Sequence, residues 1–205
     1  MPGPAYEYAL EKGKRFPEGE KAMALNPRVA YLYARDIIKG RWPEAEDRIA
    51  KNPSASFNYA KDVIKGRWPE GEEIFGADVL FGVKYAMEVV KDRVPLIEKY
   101  ILREPNRHIV SYAKNVIKGR WPEAEKMLEQ KFKQHDELVN AADVVGTDRA
   151  DPFLFRIAAQ YAIEVMVDRW PEAEKGIMAH PSVKTPYVQA MKLLDKGIEP
   201  DAVNL

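Results

Sequence analysis

Tyr33-Ala34-Arg35-Asp36-Ile37-Ile38-Lys39-Gly40-Arg41-Trp42-Pro43-Glu44-Ala45-Glu46 decides the fold, because most of it returns elsewhere in the chain. Its centre, Lys-Gly-Arg-Trp-Pro-Glu, stands at Lys39 to Glu44, Lys65 to Glu70 and Lys118 to Glu123, with a worn copy at Asp168 to Glu172. A phrase of this length recurring at fixed spacing marks one structural unit copied along a chain. Pro17, Pro43, Pro69 and Pro95 are each 26 residues apart, Pro122 follows at 27, and Pro171 comes only after 49, one repeat plus 23 extra residues.

Each copy reads as two short helices. Asn26-Pro27 and Asn52-Pro53 are start signals, since Asn caps free backbone N–H groups while Pro occupies the first turn without losing a bond. Along the helix that follows, Tyr33, Ala34, Ile37 and Ile38, matched by Tyr59, Ala60, Val63 and Ile64, recur at helical spacing and make one apolar face. Gly40, Gly66 and Gly119 sit where a left-handed residue commonly ends a helix. Trp-Pro then forces the chain out of helical geometry and opens a second helix at Pro. The expected class is all-α, an α-solenoid of about six to seven αα-hairpin repeats with neighbours sharing a core. The expected organisation is a single repeat domain over 1–205. It comprises a worn N-terminal cap in 1–20, regular repeats in 21–125, an insertion in 126–150, a last full repeat in 151–180 and a C-terminal cap in 181–205.

Composition limits the functional classes. Lys plus Arg equals Asp plus Glu at 32 each, so no bulk field draws the chain to nucleic acid or membrane, and any charged site is local. No stretch approaches the ~18 apolar residues of a membrane helix, and Met1 to Gly13 lacks the apolar centre of a signal peptide. The expectation is a cytoplasmic protein with no membrane partner. With no Cys, disulfide and thiolate chemistry are excluded.

The run Tyr33 to Glu46 resembles a short repeat found in many proteins of bacteriophages and other large DNA viruses, and the resemblance covers most of the chain outside the insertion. It implies a viral accessory protein acting in host cytoplasm and implies no chemistry.

The recurring residues read as framework. Trp42, Trp68, Trp121 and Trp170 share one register with Phe16 and Val94, and a site where Val replaces Trp needs apolar bulk rather than a stacking surface. Tyr33, Tyr59, Tyr85, Tyr112, Tyr161 and Tyr187 form a second column, each hydroxyl expected to find a partner at the edge of the core. Arg15, Arg41, Arg67, Arg93, Arg120 and Arg169 stand two before Pro, and Glu20, Glu46, Glu72, Glu98, Glu125 and Glu174 three after it. That recurrence predicts a ladder of bidentate pairs. The alternative takes the Arg with Lys39, Lys65, Lys91 and Lys118 as a basic stripe meeting phosphates or an acidic partner. Pairing would leave the Lys more available than the Arg. The variable slots Leu32, Asn58, Lys84, Ser111 and Gln160, and Arg35, Lys61, Met87, Lys114 and Ile163, carry no base code and suit a protein ligand better.

Nothing points to catalysis. His108, His135 and His180 lie in different copies, none at metal-ligand spacing, and Thr147 to Pro152 reads as a polar loop ending in an Asp-Pro helix start rather than an acid cluster. No cofactor and no metal are expected. Specific function belongs where the repeat breaks down. Phe75, Leu80 and Phe81, within the apolar departure Ile74 to Val83, form a sticky patch if exposed and plain core if buried. The insertion starts with Met127, Leu128, Phe132 and Leu138, which could extend the short second helix, and then passes through Val144, Val145 and Gly146. It is either an eroded repeat or a partner-binding projection bearing Phe132, His135, Asp148 and Arg149. With Lys39, Lys65 and Lys118 these are the candidate partner-binding residues. The expected function is a non-enzymatic protein-binding scaffold or inhibitor. The rivals are a nucleic-acid binder using the Lys/Arg rims and a structural protein that self-associates through its terminal repeats.

Overall fold

The computed structural model describes residues 2–141 and 152–200. They form helices and no strand, arranged as the helical repeats that the spacing predicts. By backbone proximity the chain divides into two compact units, Met1–Tyr100 and Ile101–Leu205.

The first unit holds α1 (Pro2–Lys12), α2 (Pro17–Ala24), α3 (Pro27–Tyr33), α4 (Pro43–Ile49), α5 (Pro53–Asn58), α6 (Pro69–Ala77), α7 (Val79–Tyr85) and all but the last residue of α8 (Pro95–Ile101). Odd-numbered helices are the first helices of each hairpin and even-numbered ones the second. Each of α1, α3 and α5 packs on its own second helix and on the next first helix, α3 on α1 and α5 on α3. The second unit holds α9 (His108–Tyr112), α10 (Pro122–Ala141), α11 (Pro152–Tyr161), α12 (Pro171–Ala179) and α13 (Pro181–Leu194). Here α11 is central, packing on α9, α10, α12 and α13.

Caps mark the starts as the sequence predicts. Asn26 Oδ1 accepts from the Val29 N–H at 3.1 Å and Asn52 Oδ1 from the Ala55 N–H at 2.8 Å. Where Asn-Pro is replaced, Asp78 takes over and accepts from the Phe81 N–H at 3.3 Å, so a single residue separates α6 from α7. That tight junction needs Gly82, whose Cβ, if present, would lie 2.6 Å from the Phe75 carbonyl oxygen.

The first helices end in a feature the sequence did not announce. Over Ala34–Ile38, Tyr59–Ile64, Ala86–Val90, Ala113–Ile117 and Ala162–Met166 the helix widens to a π turn. The Lys91 N–H, for instance, reaches back to the Ala86 carbonyl at 2.7 Å, and the Gly40 N–H bonds the Ala34 carbonyl at 3.2 Å. The first copy lacks this turn: α1 closes with Gly13 at φ 60° and a Lys14 N–H bond to the Ala9 carbonyl. Tyr8 stands nine residues before Pro17 where Tyr33 stands ten before Pro43, and the wide turn takes up that one residue.

The left-handed residue after each wide turn is not the glycine. It is Lys39, Lys65, Lys91, Lys118 and Val167, at φ between 54° and 61°. Gly40, Gly66 and Gly119 have open space around them and no positive φ, which corrects their assignment as the left-handed stops. Asp92 and Asp168 replace that glycine in two copies, each accepting from the next N–H at 2.7 Å.

The insertion lengthens the second helix, as its apolar spacing suggests: α10 runs 20 residues, burying Leu128 and Phe132, while Leu138 stays 72% exposed. Val144, Val145, Gly146, Asp148 and Arg149 lie outside the described residues.

Candidate functional site

One composite node repeats from copy to copy. Arg41 clamps Glu46 through two bonds, 2.8 Å from Nε and 2.6 Å from Nη2, and the Tyr59 hydroxyl of the next copy donates to Glu46 Oε1 at 2.8 Å. The same hydroxyl accepts the Trp42 backbone N–H at 2.7 Å. That N–H heads the second helix, where no carbonyl within the helix can serve it. The hydroxyl therefore satisfies a buried donor of one copy and a carboxylate held by Arg at the same time. Arg15, Glu20, Tyr33 and Phe16 repeat the node, as do Arg67, Glu72, Tyr85 and Trp68, and Arg120, Glu125, Tyr161 and Trp121.

Across the insertion the Trp121 to Tyr161 bond spans 40 residues where the Trp42 to Tyr59 bond spans 17, and the difference is the 23 extra residues. The 23 extra residues thus leave the fastener intact. Arg93–Glu98 and Arg169–Glu174 complete the Arg column, so all six arginines are paired within their own copy. The ladder exists, bidentate at Arg15, Arg41, Arg67, Arg93 and Arg120 and single at Arg169, and the stripe of free arginines does not.

Electrostatics follow from these contacts. The Arg41 hydrogen bond holds the Glu46 carboxyl below the usual range against the upward push of burial, with Tyr59 assisting, and Arg15 does the same for Glu20. Burial pushes Glu125 up, yet the hydrogen bonds from Arg120 and Tyr161 keep it below the usual range. Burial raises the Tyr85 and Tyr187 hydroxyls to about 12, partly offset by the backbone N–H each accepts.

The aromatic columns fill volume. Trp68, Trp121 and Trp170 are at most 1% exposed, and Tyr33–Trp42, Tyr59–Trp68, Tyr112–Trp121 and Tyr161–Trp170 pack as tilted rings 5.0 to 5.4 Å apart. The indole nitrogens of Trp68 and Trp121 are buried with no acceptor, which fits a place that also accepts Val94. Tyr8 and Phe16 make the same ring pair at 4.8 Å without a wide turn, so that turn is not what sets the ring packing.

A second ladder was not anticipated. Tyr6 donates to Asp36 at 2.6 Å, Tyr31 to Asp62 at 2.5 Å, Lys61 to Glu88 at 2.6 Å and Lys114 to Glu164 at 2.9 Å, each joining one first helix to the next. The acidic residue of the repeated Tyr-Ala-x-Asp run was its signal. Arg35, Lys61 and Lys114, read as variable slots, are therefore engaged.

The partner-binding candidates scatter. Phe75 is fully buried and stacks on Tyr85 at 4.4 Å, and Phe132 is 5% exposed between Phe155 and Trp170, so both are core and offer no surface to a partner. Leu80 is exposed, and Phe81 is half-buried against Phe57 and beneath Lys84. His135 packs edge-on against Phe155. Its ring nitrogens have no hydrogen bond among the described residues, Asp136 at 3.5 Å being too far and poorly placed for one. Lys39, Lys65 and Lys118 are exposed at the left-handed turns.

Open clefts lie between successive second helices of the first unit. A cleft of about 470 Å³ lies between α2 and α4, floored by Trp42, Ala24 and Leu25. A second of about 540 Å³ lies between α4 and α6, floored by Pro43, Ala50, Ile74 and Tyr100. Asp47 borders both. Sequence reasoning passed over these clefts because no repeated phrase marks a space. Among the described residues no group of three or more His, Asp or Glu is placed to hold a metal ion, and no helix is long and apolar enough to cross a membrane. No family model matches the chain, and no curated protein or solved structure matches it either.

Proposed function

We propose that the chain is a non-enzymatic protein-binding scaffold or inhibitor whose working surface is the pair of clefts between α2, α4 and α6. The observation that carries the reading is a division of labour. The recurring Arg and Glu pair within each copy, Tyr hydroxyls join one copy to the next, the Trp side chains are buried, and the α4–α6 cleft is bordered by Asp47, Glu70, Glu73 and Lys51, which no fastener uses. Clefts of this size with an apolar floor and a polar rim suit a peptide segment of another protein. The resemblance of the repeat to those of viral proteins supports an accessory role toward a host factor in host cytoplasm.

The test is affinity capture of the tagged chain from its native lysate, with and without nuclease, beside a variant carrying Asp47→Lys, Glu70→Lys and Glu73→Lys. A nuclease-resistant protein retained by the wild type and lost by the variant is the expected result. Loss of every partner on nuclease treatment overturns it in favour of nucleic acid. The exposed column Lys39, Lys65 and Lys118 supports that second reading, which requires binding that weakens steeply with salt and disappears when the three become Glu.

A further inference from the structure

We infer that the cleft between α4 and α6 takes a basic peptide segment, one with two or more Lys or Arg side chains around an aliphatic or aromatic anchor. The inference rests on the protein-binding reading above and supplies the partner's chemistry.

The cleft has an apolar floor and an acidic rim. Ile74 and Ala50 line it beside the Tyr100 ring, which lies so close over α6 that a Cβ on Gly76 would sit 2.3 Å from its Cε2. On the rim stand Asp47, Glu70 and Glu73 against the single base Lys51. None of these three acids forms an ion pair or hydrogen bond among the described residues, whereas the fourth carboxylate, Glu46, is taken by Arg41 and Tyr59. A cationic segment would meet three carboxylates with no cation at ion-pair distance, Glu70 alone lying in the field of Arg41, which is itself taken by Glu46.

The repeat shows that this charge is local. Four residues after the phrase proline the chain has Lys21, Asp47, Glu73, Lys99, Lys126 and Lys175. The position is basic in every copy except the two whose second helices flank this cleft. Glu44 and Glu70 stand in the first helical turn, where the helix dipole alone favours an acid. Asp47 and Glu73 lie beyond that turn, so the dipole does not account for them. In the second unit the Lys of this position, Lys175, binds Asp136 at 3.2 Å, a structural use that Asp47 and Glu73 do not have. The neighbouring α2–α4 cleft sets Lys21 and Arg48 against Glu44 and Asp47, so it offers a cation no comparable preference.

The test is selection from a phage-displayed library of random dodecapeptides on the full chain, followed by fluorescence anisotropy of the selected peptides as free labelled molecules. Peptides rich in Lys or Arg around Leu, Ile, Met or an aromatic are expected. Their affinity should fall at least about tenfold on the variant with Asp47→Lys, Glu70→Lys and Glu73→Lys. A control with Glu7→Lys, Glu11→Lys and Glu137→Lys changes net charge equally at exposed positions elsewhere and should keep binding within about twofold. Circular dichroism establishes that both variants are folded. Selection of acidic or neutral peptides, failure to select any, unchanged affinity on the cleft variant, or equal loss on the control each overturns the inference. A captured protein partner that survives the cleft variant overturns the cleft and its basic occupant while leaving a protein-binding function standing. Cleft-dependent basic peptides without any captured protein overturn the function and not the site.

Discussion

The Tyr59 hydroxyl lies 2.8 Å from Glu46 Oε1 in the preceding copy while accepting the Trp42 N–H at 2.7 Å, so a single oxygen closes both the carboxylate and the head of a helix. Removing it leaves the buried Trp42 N–H without a partner and takes one bond from Glu46, which Arg41 still holds. Tyr59→Phe should destabilise the chain by about 2–3 kcal/mol in urea unfolding, as should Tyr161→Phe in the second unit. Tyr8, its ring in the equivalent place but 46% exposed, makes no such hydrogen bond among the described residues, and Tyr8→Phe should change stability by less than about 0.5 kcal/mol. Equal effects at Tyr8 and Tyr59 would contradict the fastener.

The fastener should also shape the acid limb of stability. Glu20, Glu46 and Glu125 titrate below their ordinary value of 4.5 in the folded chain, so folding is favoured by ionisation. Their contribution is complete above that value and is lost as pH falls through the depressed folded values. Urea midpoints should therefore drop as pH is lowered below about 4.5, and a Glu46→Gln, Glu125→Gln variant should drop less.

At the alkaline end the sign reverses. Tyr85 and Tyr187 titrate near 12 rather than 10, so their stabilisation is full below pH 10 and disappears as pH rises toward 12. A spectrophotometric titration at 295 nm should show tyrosines ionising late and together with unfolding, whereas Tyr85→Phe should shift the alkaline transition to lower pH through loss of the node itself.

Val167 holds φ 54° at a position where four other copies place Lys and the first places Gly. A β-branched side chain is costly in left-handed geometry, and Val167 is half exposed with little packing to lose. Val167→Gly should raise stability by about 1 kcal/mol, and Lys65→Val should lower it by a similar amount. Thermal denaturation of the two variants checks both directions.

Gly82 sits inside α7, where helix propensity favours Ala by about 1 kcal/mol. Gly82→Ala should nevertheless destabilise by about 1–3 kcal/mol, because the new methyl would meet the Phe75 carbonyl oxygen at 2.6 Å and backbone cannot step aside. A rise in the thermal midpoint would show that α6 and α7 tolerate separation.

The helical repeat was legible because Pro, Asn and the Tyr-Ala-Ile face act locally, each through the conformation of its own few residues. The Arg–Glu pairing was legible for a related reason: the partners stand five residues apart, within one turn and helix start. The second ladder through Asp36, Asp62, Glu88 and Glu164 joins residues from different copies, and only packing could show which side chain meets which. The candidate site fared worst. Phe75 and Phe132 carry the same apolar chemistry whether exposed or buried, and their core positions were settled by Tyr85, Phe155 and Trp170 closing around them.

By itself, then, the sequence determined the unit, its period, its helix starts and the pairing of its charges, since these depend on short-range backbone preferences repeated until they are unmistakable. The tertiary structure alone decided that Lys rather than Gly takes the left-handed turn, that the first helices widen before it, and that one hydroxyl joins two copies. It also decided where the second helices leave room, because a cleft is the space between elements and no residue encodes it on its own.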